Sequence, residues 1–278
     1  MSTDFRPQDR FLVKANYINC LICGRVGSGK STIIRDLLMK TTSDGKQFLQ
    51  YTKVFIFALQ HSFNSPCYKE LAEFFENANV ELRKKKILEE NESMYTFVPI
   101  IPSDEDGTGK VLDQGIIPIS KLPLKENDHC VCVFDDVLCL EKREQRKIES
   151  YFISGRHKGI DNFYLSQSYF ETPRKQIRLQ SNMQIMFKQP TNAITALYNE
   201  FGSLDMTPEE FFQFFRENTE DLHDFVVIID DGETRPFNGR YRRGFYISYC
   251  PKHYLLSRPV EEPSSKPKAP IPSRFRYP

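Results

Sequence analysis

Residues 17–23 (YINCLIC) form an almost wholly apolar run of strand length, and residues 31–40 bring Ile33, Ile34, Leu37 and Leu38 back at helical spacing. A glycine-rich stretch joins them. Apolar runs recur at residues 53–59 (KVFIFAL), 94–101 (MYTFVPII), 129–133, 162–167, 183–188 and 225–229. Strands so uniformly apolar suit a sheet covered on both faces. Helical patterns fall between them. Residues 66–76 start one, with Leu71, Ala72, Phe74 and Phe75 inward, and residues 79–92 carry the basic run Arg83-Lys84-Lys85-Lys86. Residues 141–153 (EKREQRKIESYFI) turn Ile148, Tyr151 and Phe152 to the core. Residues 173–182 read as a basic helix, and residues 192–202 and 208–218 as two more, the last carrying Phe211, Phe212, Phe214 and Phe215. Alternation of strand and helix predicts an α/β fold of three layers with a mostly parallel sheet. Near the C-terminus the pattern changes. Residues 225–229, the turn Asp230-Asp231-Gly232-Glu233 and a returning strand over residues 244–249 predict a small antiparallel extension.

Composition adds bounds. The chain has 278 residues, enough for one large α/β domain. Residues 1–257 read as that domain. Residues 258–278, dominated by Pro with Ser and Lys, have too little apolar content to order themselves and are expected to form a disordered tail. The 23 Phe and absence of Trp predict a Phe-rich core. A net charge of +1 excludes a globally basic nucleic-acid coat, so DNA contacts would need local patches or a pore shared by several subunits. The bland reading of Arg83–Lys86 is a solvated helix face; the sharper one is a phosphate-contacting patch. Cys20, Cys23, Cys130 and Cys132 lie in predicted strands, as expected of free thiols in a reducing compartment. Cys20-x-x-Cys23 has half the spacing of a zinc site, but no second pair with ligand spacing follows. Neither a signal peptide nor a bilayer-spanning run is evident.

The joining stretch carries the chemistry. Gly24-Arg25-Val26-Gly27-Ser28-Gly29-Lys30-Ser31 matches G-x-x-x-x-G-K-[ST] in full, between a strand and a helix that continues through Thr32. The match predicts the phosphate-binding loop of an NTPase. Backbone N–H groups freed by the glycines converge on phosphate oxygens, and the helix start adds its positive dipole end. Lys30 is assigned to the β- and γ-phosphates of ATP, and the Ser31 hydroxyl to Mg²⁺.

Three further signals narrow the class. Val131-Cys132-Val133-Phe134-Asp135-Asp136 is an apolar strand ending in two carboxylates, which the pleat sends in different directions. Asp135 is the candidate to share the Mg²⁺ shell with Ser31, and Asp136 to orient and deprotonate the attacking water. Gln167, at the end of the next strand (FYLSQS), is placed to sense the γ-phosphate. Arg156, in Gly155-Arg156-His157, is a candidate arginine finger toward a neighbouring subunit, with Arg174 and Arg178 as competitors. The sequence lacks an Asn-Lys-x-Asp guanine selector, a Leu-Ser-Gly-Gly-Gln signature and the protein-kinase motifs. A nucleoside-type kinase and a non-hydrolysing nucleotide-binding module remain as alternatives.

Val133-Phe134-Asp135-Asp136-Val137, then Gly155-Arg156-His157, then Ser166-Gln167-Ser168-Tyr169 resemble the poxvirus-type genome-packaging ATPases, which also occur in other large DNA viruses, virophages and Polinton/Maverick elements. The resemblance spans roughly residues 18–249. Asp-Asp in place of Asp-Glu departs from the FtsK/HerA superfamily at large and agrees with its viral branch. The resemblance implies a Mg²⁺-dependent ATPase that drives double-stranded DNA into a capsid through its portal vertex. It implies a homo-oligomeric ring, a pentamer or hexamer, with no membrane partner. Such a motor works where virions assemble, in host cytoplasm or nucleus, or stays with the virion.

Overall fold

The computed structural model describes residues 17–41, 47–100, 115–230, 239–245 and 247–252. The first strand, β1 (Asn19–Cys23), leads through the glycine loop into α1 (Lys30–Met39). There follow β2 (Lys53–Leu59), α2 (Pro66–Lys84), β3 (Tyr95–Ile100), β4 (Cys130–Asp135), α3 (Lys142–Ser154), β5 (Ile160–Ser166) and β6 (Met183–Phe187). Then come α4 (Thr191–Leu197), α5 (Pro208–Glu217), β7 (Phe225–Ile229), β8 (Tyr241–Arg243) and β9 (Ile247–Tyr249).

The strands form one sheet in the order β3-β2-β4-β5-β1-β6-β7-β8-β9. Pairing is parallel from β3 across to β6 and antiparallel from β6 to β9. This is the mostly parallel α/β sheet with a small antiparallel extension that the apolar pattern predicts. Every residue of β1, β4, β5 and β6 is buried, as expected of strands covered on both faces.

Strand pleating divides the core into two halves. Cys130, Cys132 and Phe134 of β4 pack with Ile148, Tyr151 and Phe152 of α3 on one face. Val131 and Val133 pack with Ile34 and Leu37 of α1 and Leu71 and Phe75 of α2 on the other. The Phe-rich composition is spent here: Phe57 stacks on Phe134 at 5.1 Å, and Tyr151 meets Phe134 edge-on at 5.1 Å. Cys20 and Cys23 fall on opposite faces of β1, so they cannot jointly hold a metal. Burial pushes the Cys23 thiol up to about 12, which disfavours the thiolate.

Two elements depart from the sequence reading. Residues 173–182 do not form a helix. Ile177 and Arg178 both donate N–H to the Pro173 carbonyl, and a 3₁₀ turn, Arg178–Gln180, ends the segment. Tertiary anchors override the helical spacing: the Arg178 guanidinium is buried 4.5 Å over the Tyr169 ring. The returning C-terminal strand also starts earlier than expected. β8 pairs with β7, and Gly244, with φ +56°, turns the chain into β9. The expected turn beyond Asp230 and the tail at 258–278 lie outside the described residues.

Candidate nucleotide and metal site

Parallel pairing brings the carboxyl ends of β1, β4 and β5 to one rim. β5 lies between the other two. With strands about 4.8 Å apart, a residue just past β5 is within reach of both neighbours. The loop after β1, Asp136 after β4 and Gln167 after β5 therefore face one another.

The loop leaves β1 with the Gly24 N–H donating to the Ser166 carbonyl at 3.1 Å. It closes tightly. A Cβ on Gly24 would lie 2.6 Å from Ser28 Oγ and 2.8 Å from the Phe187 Cβ. Gly24→Ala is therefore expected to lose about 1–3 kcal/mol of stability through overpacking, and nucleotide binding with it. Thermal melting and equilibrium binding check this; a wild-type melt with intact binding would show that the loop relaxes freely. Arg25, Val26 and Gly27 form the exposed tip. Gly29 is the helix cap at φ 107°, a conformation closed to most side chains.

Helix α1 starts without a side-chain cap or an acidic residue in its first turn, the arrangement in which a helix start can take an anion. Thr32 is exposed on that turn. The Lys30 ammonium donates to the carbonyls of Gly24 at 2.8 Å and Arg25 at 3.1 Å, so it lies across the loop. Burial lowers its pKa, while Asp135 and Asp136 pull it back up. The Ser28 hydroxyl is buried without a hydrogen-bond partner. An uncapped helix start, a cation across the loop and an orphaned hydroxyl fit a polyphosphate.

The carboxylates divide as the pleat requires. Asp135 follows Val131 and Val133 onto the α1 face and is 6 % exposed. Its Oδ2 accepts from Ser31 Oγ at 3.2 Å and from the Tyr68 hydroxyl at 2.5 Å. Burial raises its pKa, and the two hydroxyls oppose that rise. One hydroxyl and one carboxylate are the few hard oxygen donors that Mg²⁺ takes from protein when phosphates and water complete its shell. Asp136 is half-buried and left-handed, with φ 57° and ψ 36°. Asp tolerates this better than most residues, and it turns the carboxylate out of the strand direction. Gln167 Nε2 donates to both Asp136 oxygens at 2.8 Å. The chosen residues of β1, β4 and β5 thus converge.

Arg156 does not join them. It is exposed in the 3₁₀ turn Gly155–Lys158, before β5, with its Nε donating to His157 Nε2 at 3.2 Å. The seven residues of β5 put it about 20 Å from the loop rim. Of its competitors, Arg178 is buried, and Arg174 pairs with Glu200 at 2.9 Å.

The sequence reading missed His223, Cys67 and Tyr68. His223 Nδ1 lies 3.1 Å from the Ser28 carbonyl, which can only accept, so Nδ1 carries the proton of that bond. It comes from the loop before antiparallel β7, which no motif marks. Cys67 Sγ donates to the Ser31 carbonyl at 3.1 Å. Cys67 and Tyr68 open the helix that follows β2, the neighbour of β4; only sheet order reveals that proximity.

No family model and no curated protein matches this chain. Solved structures do. The genome packaging NTPase B204 from Sulfolobus turreted icosahedral virus 2, in complex with sulfate, is 16 % identical with a TM-score of 0.50, over 78 % of this chain and 94 % of that one. Its AMPPCP complex is 15 % identical with a TM-score of 0.50, over 78 % and 95 %. At this identity the likeness establishes a shared fold. Among the described residues no helix is long and apolar enough to cross a membrane.

Proposed function

We propose that this chain is an ATPase of the FtsK/HerA superfamily that drives double-stranded DNA into a viral capsid. The carrying observation is the meeting of the phosphate loop, the Ser31–Asp135 pair and the Asp136–Gln167 pair on one rim. The fold shared with a genome packaging NTPase supports the same reading.

In this reading the loop N–H groups and Lys30 hold the β- and γ-phosphates of ATP. Ser31 and Asp135 hold Mg²⁺, which neutralises phosphate charge when bound. Asp136 orients a water and takes its proton as the oxygen attacks the γ-phosphorus and the bond to the β-phosphate oxygen breaks. Gln167 holds Asp136 through one amide and senses the γ-phosphate from between the two strands. Arg156 reaches the nucleotide of a neighbouring subunit in a pentameric or hexameric ring. The partners are double-stranded DNA and a capsid or portal vertex, at the site of virion assembly in cytoplasm or nucleus. Residues 1–257 carry catalysis, and truncation after Ser257 is expected to leave ATP turnover and thermal stability near wild type.

The test is ATP turnover with and without double-stranded DNA, with oligomeric state measured by sedimentation in the same samples. Turnover without a phosphoryl acceptor, raised by DNA in a ring-sized species, is expected. A requirement for an acceptor would make the chain a kinase; binding without turnover would make it a binding module. In the same assay Arg156→Ala is expected to lose about 10³-fold or more. Mixing it with Lys30→Ala protein restores activity at interfaces that pair an intact Lys30 with an intact Arg156. Rings that form but recover nothing on mixing rule out Arg156 as the finger.

A further inference from the structure

We propose that Tyr68 is a positioning residue for the metal pair: its hydroxyl sets the rotation of the Asp135 carboxylate opposite Ser31. The inference rests on reading Ser31 and Asp135 as the magnesium ligands.

A buried carboxylate can swing about its last torsion unless hydrogen bonds stop it. In Asp135 both hydroxyl donors converge on Oδ2, Tyr68 at 2.5 Å and Ser31 at 3.2 Å. The Tyr68 bond has the length of a strong charge-assisted O–H···O⁻ contact; the Ser31 bond is long. Tyr68 is therefore the firmer hold, and Oδ1 is the oxygen that these hydroxyls leave unengaged.

The donor itself is rigid. Tyr68 is 1 % exposed, and its ring lies 5.5 Å from the Phe63 ring and 6.1 Å edge-on from Phe97. Phe63 and Phe97 stack on each other at 4.9 Å. The helix is aimed by the sheet: β2 pairs with β4 so that Ala58 lies beside Asp135, and the chain then passes through the 3₁₀ turn Gln60–Asn64 to Pro66. The preceding residue, Cys67, donates to the Ser31 backbone carbonyl at 3.1 Å. One helical turn thus touches both members of the pair. Outer partners of metal ligands orient them, and their loss typically weakens metal binding by about 10–100-fold.

The experiment compares full-length wild type, Tyr68→Phe, Ser31→Ala and Asp135→Asn. A fluorescent ATPγS analogue is titrated by anisotropy in EDTA and then across Mg²⁺ concentrations. Tyr68→Phe keeps the ring and removes the hydroxyl. It is expected to bind the analogue normally in EDTA and to need about tenfold or more Mg²⁺ for half-maximal tightening. A purely structural Tyr68 would change the melting temperature and leave the Mg²⁺ midpoint alone. If the midpoint stays at wild type in Tyr68→Phe while Ser31→Ala and Asp135→Asn raise it, Tyr68 does not position the pair and the metal reading stands. If none of the three raises it, the metal reading fails and the role of Tyr68 with it.

Discussion

Lys30→Ala protein is expected to fold normally and to hydrolyse ATP at least about a hundredfold more slowly, the scale for removing one preorganised charged donor. Among the described residues, the Lys30 ammonium hydrogen-bonds to carbonyls of its own loop, Gly24 and Arg25, so its removal takes no hydrogen bond from the core. The ammonium is partly buried at a depressed pKa, with Asp135 and Asp136 as its electrostatic counterweights. That is the setting in which one positive charge has the largest effect on a polyphosphate, because little water screens it. Circular dichroism and thermal melting establish the fold, and turnover with equilibrium binding reads the loss. An unfolded variant would show that Lys30 is structural. Full activity would remove the loop from the mechanism.

The second large effect separates the two carboxylates. Asp136→Asn should keep its backbone, since Asn tolerates the left-handed conformation seen there. It should bind Mg²⁺ and nucleotide nearly as well as wild type and lose turnover by roughly a hundredfold or more, the scale for losing a general base. Asp135→Asn removes the buried anion beside Ser31 and should first weaken Mg²⁺-dependent nucleotide binding. Measuring binding and turnover on both variants decides the matter. Equal loss of binding in the two would show that the division of roles is wrong.

The fold class and the strand, glycine loop and helix of residues 19–39 were legible in the sequence because they are local. An eight-residue motif between an apolar run and a helical pattern specifies strand, loop and helix, whatever the rest of the chain does. The alternation along residues 131–136 likewise sends Asp135 and Asp136 apart, because a pleat has period two. Sheet order is a different kind of fact. Only the tertiary structure decided that β5 stands between β1 and β4, so that Gln167 meets Asp136, and that β2 flanks β4, so that Tyr68 meets Asp135. It also decided that residues 173–182 are a turn held by the buried Arg178, where spacing alone predicts a helix. Periodicity reports what each segment can form in isolation. Which strand ends share a rim depends on long-range pairing between segments as distant as residues 20 and 163, and no local pattern encodes that.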